Sequence, residues 1–288
     1  MQIFRYAVSV LIAVAAVIII RDIVRSQPGK GHSGGIVKHQ AESTSMPYST
    51  LKETAGVAPY WQARHETGDL EEYSWWHVEG VPTGTLMVVP DPTGSGRGYV
   101  LCGEITTIAP PGGDSHRMYP ALLLPECYRG GYRSSFHVWA DLPSPAQRGW
   151  FSFATYSNKQ DWKDLFGVNL GFEQGEDRLV LFHVPVFSKG TFTRISSIPF
   201  PMRQWVKVDV KVDDSGIMLF QDDRLIGEAK KEWGADGVGL CEAHWGLYGQ
   251  DKNRSGLLLN DDITVSLDTR FDKQPRMVRA GMPDYGKR

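Results

Sequence analysis

The sequence lacks the basic blocks by which a nucleic-acid-binding protein is recognised. Its 288 residues carry 31 Lys and Arg against 33 Asp and Glu, which gives a formal net charge of −2. Nucleic acid is bound by a concentrated positive surface, so this class of partner is excluded. Because 41% of the residues are hydrophobic, the chain is not a disordered protein and can bury a core of its own.

Cysteine is also scarce. The chain has Cys102, Cys127 and Cys241 and no C-x-x-C spacing. This excludes a disulfide-dense scaffold and the common zinc and thioredoxin motifs. A Cys102–Cys127 disulfide in an oxidising compartment is one interpretation. The odd number favours the other, in which all three thiols are reduced and buried.

The motifs of several common catalytic sites are missing. H-E-x-x-H and G-x-x-x-x-G-K-[ST] do not occur, and neither G-x-S-x-G nor G-x-G-x-x-G lies between a predicted strand and a predicted helix. These absences disfavour zinc peptidases, serine hydrolases and nucleotide-binding enzymes. The paired acids E-x-D-x-x-E of a retaining glucanase are missing too, which disfavours that chemistry.

The sequence does contain a long apolar run near its start. Residues 6–20 carry no charge, and residues 3–24 extend the run to 22 residues, a helix of about 33 Å that spans a bilayer core. No small-residue cleavage site follows, so we predict an uncleaved, single-pass anchor (residues 1–25) in a bacterial inner membrane. Basic residues after the run favour a cytoplasmic body; the resemblance described below favours the periplasmic side, which we expect.

A linker and a tail flank the predicted globular part. Residues 26–60 are rich in Gly, Ser and Pro, the composition of a tether, and residues 271–288 form a polar, Pro- and Gly-punctuated tail. Between them, residues 61–270 are predicted to form one domain.

Hydrophobic residues in this domain follow the period of β-strands. In the stretch 205–213, Val206, Val208, Val210 and Val212 alternate with charged residues, which is typical of a half-buried strand. Further strands are predicted at 86–89, 98–106, 132–140, 150–156, 166–172, 178–184, 192–198, 217–221, 243–248 and 257–266. No window predicts an amphipathic helix. The pattern therefore indicates an all-β, two-sheet antiparallel jelly-roll sandwich.

Several segments of this domain are similar to one family. They are ETGDLEEYSW (66–75), GRGYVLCGEI (96–105), YRSSFHVWADLP (132–143), QWVKV (204–208), QDDRL (221–225), AHWGLYG (243–249) and NDDI (260–263). Together they resemble the concanavalin A-like lectin and glucanase superfamily, in particular the heparin-lyase-like polysaccharide lyases. The resemblance covers roughly residues 64–266. It implies a concave sheet that holds a polysaccharide, and a location outside the cytoplasm.

Lyase chemistry needs a cation to neutralise a uronate, together with a His or Tyr base and a Tyr acid, in one groove. The candidates are Arg133, His137, Tyr156, His244 and Tyr248. Candidates for ligand contacts are Trp139, Asn169, His183 and Tyr248. The resemblance also suggests a structural Ca²⁺ on the oxygens of Asn260, Asp261 and Asp262, although an Asx-stabilised turn explains the same residues.

Alternation divides the aromatic stretch 242–249, EAHWGLYG, between two faces. It assigns His244 and Tyr248 to one face of a strand and Trp245 to the other, in the core.

The sequence as a whole favours a non-catalytic, membrane-anchored interaction module, an accessory subunit of a larger membrane complex such as a respiratory or photosynthetic one. The alternatives are an envelope glycan-binding protein and a polysaccharide lyase acting on a uronate-containing glycan.

Overall fold

The computed structural model describes residues 59–79, 84–105, 116–147, 149, 151–159, 167–184, 192–230, 237–249 and 255–268. The predicted anchor, nearly all of the predicted linker and the predicted tail lie outside these residues. In the stretches that are described, no helix has the length and hydrophobicity needed to cross a bilayer. The account of the sandwich below concerns residues 59–91 and 96–268, since residues 92–95 do not belong to this compact unit.

The described residues form fifteen strands. They are β1 (Trp61–Ala63), β2 (Trp75–Glu79), β3 (Gly84–Pro90), β4 (Tyr99–Ile105), β5 (His116–Arg129), β6 (Tyr132–Asp141), β7 (Phe151–Ser157), β8 (Gly167–Phe172), β9 (Arg178–Val184), β10 (Phe192–Pro199), β11 (Val206–Asp213), β12 (Gly216–Gln221), β13 (Arg224–Ala229), β14 (Gly239–Gly249) and β15 (Gly256–Leu267).

These strands form two antiparallel sheets. Sheet A has the order β13-β12-β11-β6-β15-β4-β3, with β1 paired to the second half of β15. Sheet B has the order β10-β9-β8-β7-β14-β5-β2. Side chains of both sheets meet in one hydrophobic core; for example, the rings of Phe136 in sheet A and Phe153 in sheet B lie 6.0 Å apart. The predicted all-β sandwich is confirmed.

Strand β11 shows why the alternating pattern was informative. Val206, Val208, Val210 and Val212 are all buried in the core, and the charged residues between them lie on the outer face of sheet A. Burying one such side chain contributes about 1.5–3 kcal/mol. A shift of one residue in the pairing of this strand would turn the charged side chains into the core and the valines outward. The pattern therefore fixes the register of β11.

Strand β5 was not predicted, although it is the longest described strand and lies between β14 and β2. Its sequence contains Pro120 and Pro125, and proline normally argues against an interior strand. Pro125 falls where the pairing of β5 with β14 shifts register, between the pairs Leu240–Tyr128 and Glu242–Leu123. The irregular ladder accommodates a residue that cannot donate a backbone hydrogen bond.

The same unpredicted strand explains the disulfide. Cys127 on β5 bonds to Cys241 on β14, and their Cα atoms are 4.2 Å apart. Cys102 is a free, buried thiol. Both interpretations from the sequence were therefore wrong, because the neighbour of Cys127 is decided by the pairing of β5 with β14.

Strand β14 contains the aromatic stretch and places Trp245 in the core, as predicted. The Trp245 ring stacks on that of Trp61 with 5.2 Å between centroids. Gly246 has a φ of 132°, and a Cβ atom at this position would lie 2.2 Å from the carbonyl oxygen of Met118. Only glycine permits this close approach of β14 to β5.

Candidate functional site

The residues suggested for catalysis and ligand binding lie on two opposite faces of the sandwich. Arg133, His137 and Trp139 project from β6 on the outer face of sheet A, because their neighbours on the strand face the core. His244 and Tyr248 project from β14 on the outer face of sheet B. Packed sheets are separated by about 10 Å, so these two groups cannot converge on one substrate.

Tyr156 lies between the two groups, in the core. It is fully buried, and its hydroxyl donates to Ser134 Oγ over 2.9 Å. Burial raises the pKa of this hydroxyl well above its usual value. The expected groove position was wrong because β7 shifts register between Ser152 and Ala154, which exchanges the inward and outward faces along the rest of the strand.

Two further ligand candidates lie on sheet B. Asn169 is half-buried on the outer face, in register with Thr155, and accepts a hydrogen bond from Ser152 Oγ. His183 occupies the position on β9 in register with Val168. Asn169 therefore shares a face with His244, which itself pairs with Thr155.

A carboxylate–imidazole pair stands at the centre of the outer face of sheet B. Glu242 Oε1 and His244 Nε2 are hydrogen-bonded, and the ring of Tyr119 stacks on His244 at 4.4 Å. A carboxylate that bonds one ring nitrogen orients the imidazole, as in many acid–base sites. Here, however, Glu242 and His244 are only 2% and 5% exposed, so the pair is shielded from solvent.

Sequence reasoning missed Glu242 and Tyr119. Glu242 opens the stretch EAHWGLYG and stands two residues before His244, which places both on one face of a strand; this signal was available. Tyr119 lies on β5, and without that strand nothing indicated its position beside His244.

On sheet A, Arg133 is committed to an ion pair. Its Nε and Nη2 donate to Asp209 Oδ1 at 3.0 and 2.7 Å. Lys207 lies on the neighbouring strand, where it pairs with Asp223 over 2.6 Å and approaches Asp209 Oδ2 more distantly, at 3.7 Å. Asp209 is buried, and a buried carboxylate needs its cation. Arg133 therefore serves this carboxylate and is not available to neutralise a uronate.

The surroundings of His137 and Trp139 also indicate structural roles for these two residues. Burial lowers the pKa of His137, the guanidinium of Arg97 lowers it further, and the carboxylates of Asp262 and Asp261 oppose the shift. Its Nδ1 lies 3.4 Å from Asp262 Oδ2. Trp139 is only 6% exposed, which leaves no open ring face for a sugar, so the expectation for this residue was wrong.

Only two of the three predicted calcium ligands, Asp261 and Asp262, lie together. Asp261 Oδ2 and Asp262 Oδ2 each accept a hydrogen bond of 3.0 Å from Nη1 of Arg97, so a guanidinium supplies the cation at this position. Asn260 is in register with the core residues Leu101 and Val138 and points inward. Among the described residues, no group of three or more His, Cys, Asp or Glu side chains is placed to hold a metal.

Asp261 is also joined to the segment that follows β1. Its Oδ1 lies 3.5 Å from His65 Nδ1, and His65 Nε2 is hydrogen-bonded to the Tyr73 hydroxyl at 2.8 Å. Burial by itself raises the pKa of Asp261, but His65 and Arg97 outweigh burial, so the pKa lies below its usual value. The carboxylate is therefore ionised at neutral pH and holds the two segments together.

A cavity of about 440 Å³ opens beside this cluster. Its lining consists of two glycines and the side chains of Arg64, Glu66, Arg97, Tyr99, Asp261 and Asp262. Sequence reasoning missed this site apart from the two aspartates, because its walls come from three distant parts of the chain.

Structural comparison identifies solved proteins with a similar fold. Cellulose induced protein, Cip1, has a TM-score of 0.50 at 11% identity, over 71% of this chain and 96% of that chain. The alginate lyase AlgAT5 from polysaccharide lyase family 7 has a TM-score of 0.45 at 11% identity, over 64% and 82%. A conserved carbohydrate esterase from Shiga toxin-encoding bacteriophage phi24B has 0.49 at 12% identity, over 74% and 100%.

No protein-family model matches the sequence, and no curated protein matches it. At identities this low, the likeness to Cip1 establishes a shared β-sandwich fold and leaves the activity open. Membership of the polysaccharide-lyase-like family therefore stays a prediction.

Proposed function

We propose that the chain is a non-catalytic binding module, tethered by its N-terminal segment to the outer side of the inner membrane, where it is an accessory subunit of a membrane protein complex. The observation that carries the non-catalytic part is the division of the candidate residues. Arg133 and His137 lie on one outer face, His244 and Tyr248 lie on the other, and Tyr156 lies in the core between them.

The immediate surroundings of these residues support the same conclusion. The guanidinium of Arg133 is held by Asp209, and the pair of Glu242 and His244 is shielded from solvent. A lyase needs its cation, base and acid around one sugar unit. The polysaccharide lyase alternative is therefore less supported than binding.

Two features support the location. The run at residues 3–24 is long enough to anchor the chain in a bilayer. The Cys127–Cys241 disulfide joins two strands inside the folded domain, and such bonds persist in oxidising compartments such as the periplasm. An anchored chain with its body in the periplasm meets both conditions.

Co-purification tests the accessory-subunit role. The full chain, tagged at its C-terminus and expressed at its natural level, is extracted from membranes with a mild detergent. We expect it to elute with a fixed set of membrane proteins in constant ratio. An unrelated single-pass protein with the same tag controls for incidental capture. Elution of the chain as a free monomer would overturn the subunit role.

An activity assay tests the non-catalytic part separately. The same preparation is incubated with a panel of polyuronates, and ultraviolet absorbance of unsaturated uronate is followed. We expect no increase. A sustained increase that is lost on substitution of His244 by Ala would replace this proposal with the lyase alternative.

The second candidate function, glycan binding, is favoured by one specific observation. Tyr99 is exposed at a cavity that combines guanidinium and carboxylate groups.

A further inference from the structure

We infer that the cavity beside Arg97 is a binding site for one neutral sugar ring. This ring belongs to an uncharged glycan, either as its terminal residue or as an internal one. The inference rests on the second candidate function, glycan binding, and is independent of the accessory-subunit proposal, because the cavity can take a sugar whether or not the chain has protein partners. It differs from the ligand positions suggested by the sequence, which lie elsewhere on the two sheets.

The cavity is built from three segments that are fixed to one another. They are the turn after β1 with Arg64 and Glu66, the segment that leads into β4 with Arg97 and Tyr99, and the bulge of β15 with Asp261 and Asp262. Arg97 joins the second segment to the third through hydrogen bonds to both aspartates. His65 joins the first to the third through its approach to Asp261. A preformed cavity loses less ordering entropy when it binds a ligand.

The size fits a small ligand. A volume of about 440 Å³ falls in the range of roughly 300–1,000 Å³ that is typical of small-molecule sites. One sugar ring fits, and the open side allows a glycan to continue into solvent.

Tyr99 supplies an aromatic surface at the cavity. Its side chain is 42% exposed, and Leu225 is the other large apolar side chain that stands exposed in the described part of the chain. The backbone at Gly68 supports the ring, since a Cβ atom there would lie 3.4 Å from Tyr99 Cε1. An exposed aromatic ring beside polar groups suits a sugar, whose C–H face stacks on the ring while its hydroxyls reach the polar groups.

The charges of the lining disfavour an anionic ligand. Two guanidinium groups face three carboxylates, a formal balance of −1. Arg97 offsets only one of the two negative charges of Asp261 and Asp262, so this cluster keeps one negative charge. A uronate or sulfated sugar would meet uncompensated carboxylates, and like charges at this range repel.

Arg64 and Glu66 remain available to a ligand. Both residues are exposed to solvent at the cavity. Arginine only donates hydrogen bonds and an ionised carboxylate only accepts them. A sugar hydroxyl does both, so two adjacent hydroxyls can satisfy the two side chains together.

The experiment measures binding by calorimetry with the full chain in lipid nanodiscs. Nanodiscs are chosen because alkyl glycoside detergents present a neutral sugar and would compete for the cavity. The probes are gluco-, manno- and galacto-oligosaccharides, with oligouronates of matched length. We expect at least one neutral series to bind more tightly than the oligouronates.

Three variants locate the binding. Tyr99→Ala and Arg64→Gln should each weaken it by about tenfold or more, a change of roughly 1.4 kcal/mol. Leu225→Ala is the matched control, since Leu225 is 43% exposed and lies outside the cavity; it should bind like the wild type. Thermal unfolding of each variant shows whether it is folded, and Arg64→Gln, on an exposed turn, keeps the test valid if Tyr99→Ala unfolds.

Three results would overturn the inference: no binding of any neutral series, tighter binding of oligouronates, or neutral-sugar binding that survives both cavity substitutions. None of them affects the co-purification experiment, so failure of the sugar site and failure of the accessory-subunit role are distinguishable.

Discussion

The guanidinium of Arg97 lies 4.6 Å above the centroid of the Trp205 ring. The same group donates from Nη1 to Asp261 and Asp262. Arg97, which precedes β4, is thereby held by the ring of Trp205, which precedes β11, and by two carboxylates in the bulge of β15. This contact fixes the arginine side of the cavity, and it gives Arg97 a structural role that its neighbours cannot replace.

Substitution of Arg97 by Met should destabilise the sandwich. Asp261 is buried and would lose its cation, so we expect the free energy of unfolding to fall by about 1–3 kcal/mol. Urea unfolding followed by tryptophan fluorescence measures the change. Arg203→Met is the matched control, because Arg203 is exposed and pairs with Asp141 at the surface; its effect should be about 0–1 kcal/mol. Equal losses in the two variants would contradict the structural role of Arg97.

The lowered pKa of His137 predicts a stability that falls in mild acid. As the pH drops below about 6.5, the usual pKa of histidine, the unfolded chain binds a proton on this residue before the folded protein does. Protons bound preferentially by the unfolded chain favour unfolding, so the free energy of unfolding decreases until the pH passes the folded pKa.

His137→Gln should remove this part of the pH dependence. A single residue contributes at most about 1.4 kcal/mol per pH unit, and the difference between wild type and variant isolates it from other titrating groups. Chemical unfolding at a series of pH values between 5 and 8 provides the measurement. Parallel curves for the two proteins would show that His137 titrates alike in the folded and unfolded chain.

Asn260 should be a source of instability. Its side chain is fully buried between the sheets, and within the described part of the chain neither Oδ1 nor Nδ2 has a hydrogen-bond partner. Leucine has the same branching and no polar atoms, so Asn260→Leu should raise the free energy of unfolding by about 1–3 kcal/mol.

The control for this prediction is a buried asparagine whose Nδ2, unlike that of Asn260, has a hydrogen-bond partner. Asn158 Nδ2 donates to the carbonyl oxygen of Gly237 over 3.0 Å, so Asn158→Leu should lower stability by about 1 kcal/mol. Thermal unfolding of both variants is compared with that of the wild type. A loss of stability in Asn260→Leu would mean that a buried water serves the amide.

Thiol counting tests the disulfide and the compartment together. Cells are denatured in acid and labelled with a maleimide that adds measurable mass. We expect one labelled cysteine per chain without reductant, Cys102, and three after reduction. Cys127→Ser should show two without reductant. Three labelled cysteines in the unreduced wild type would place the body in a reducing compartment.

The sequence predicted most strands because their apolar residues alternate under a simple rule. Strand β9 (Arg178–Val184) begins and ends at the predicted residues. It did not predict β5, whose two prolines violate that rule, or the inward position of Tyr156, which depends on a shifted register in β7. The alternation rule fails at such irregularities because it uses only the segment itself. Where a bulge or a shift of register occurs is decided together with the partner strand.

The candidate site could be predicted only in fragments. The sequence separated His244 from Trp245, since that division depends on the two-residue period of one strand. It could not show that Arg133 and His244 lie on opposite faces, because the assignment of a strand to a sheet depends on pairings between distant segments.

The sequence by itself determined that the body of this chain is an all-β domain, that an apolar run precedes it and that a nucleic-acid-binding charge pattern is missing. These are local properties of period, composition and charge. Only the tertiary structure decided the partner of Cys127, the burial of Tyr156 and the cavity between Arg64, Tyr99 and Asp261. Each of these depends on contacts between residues far apart in the chain, and such contacts are selected by how well two whole sheets pack together.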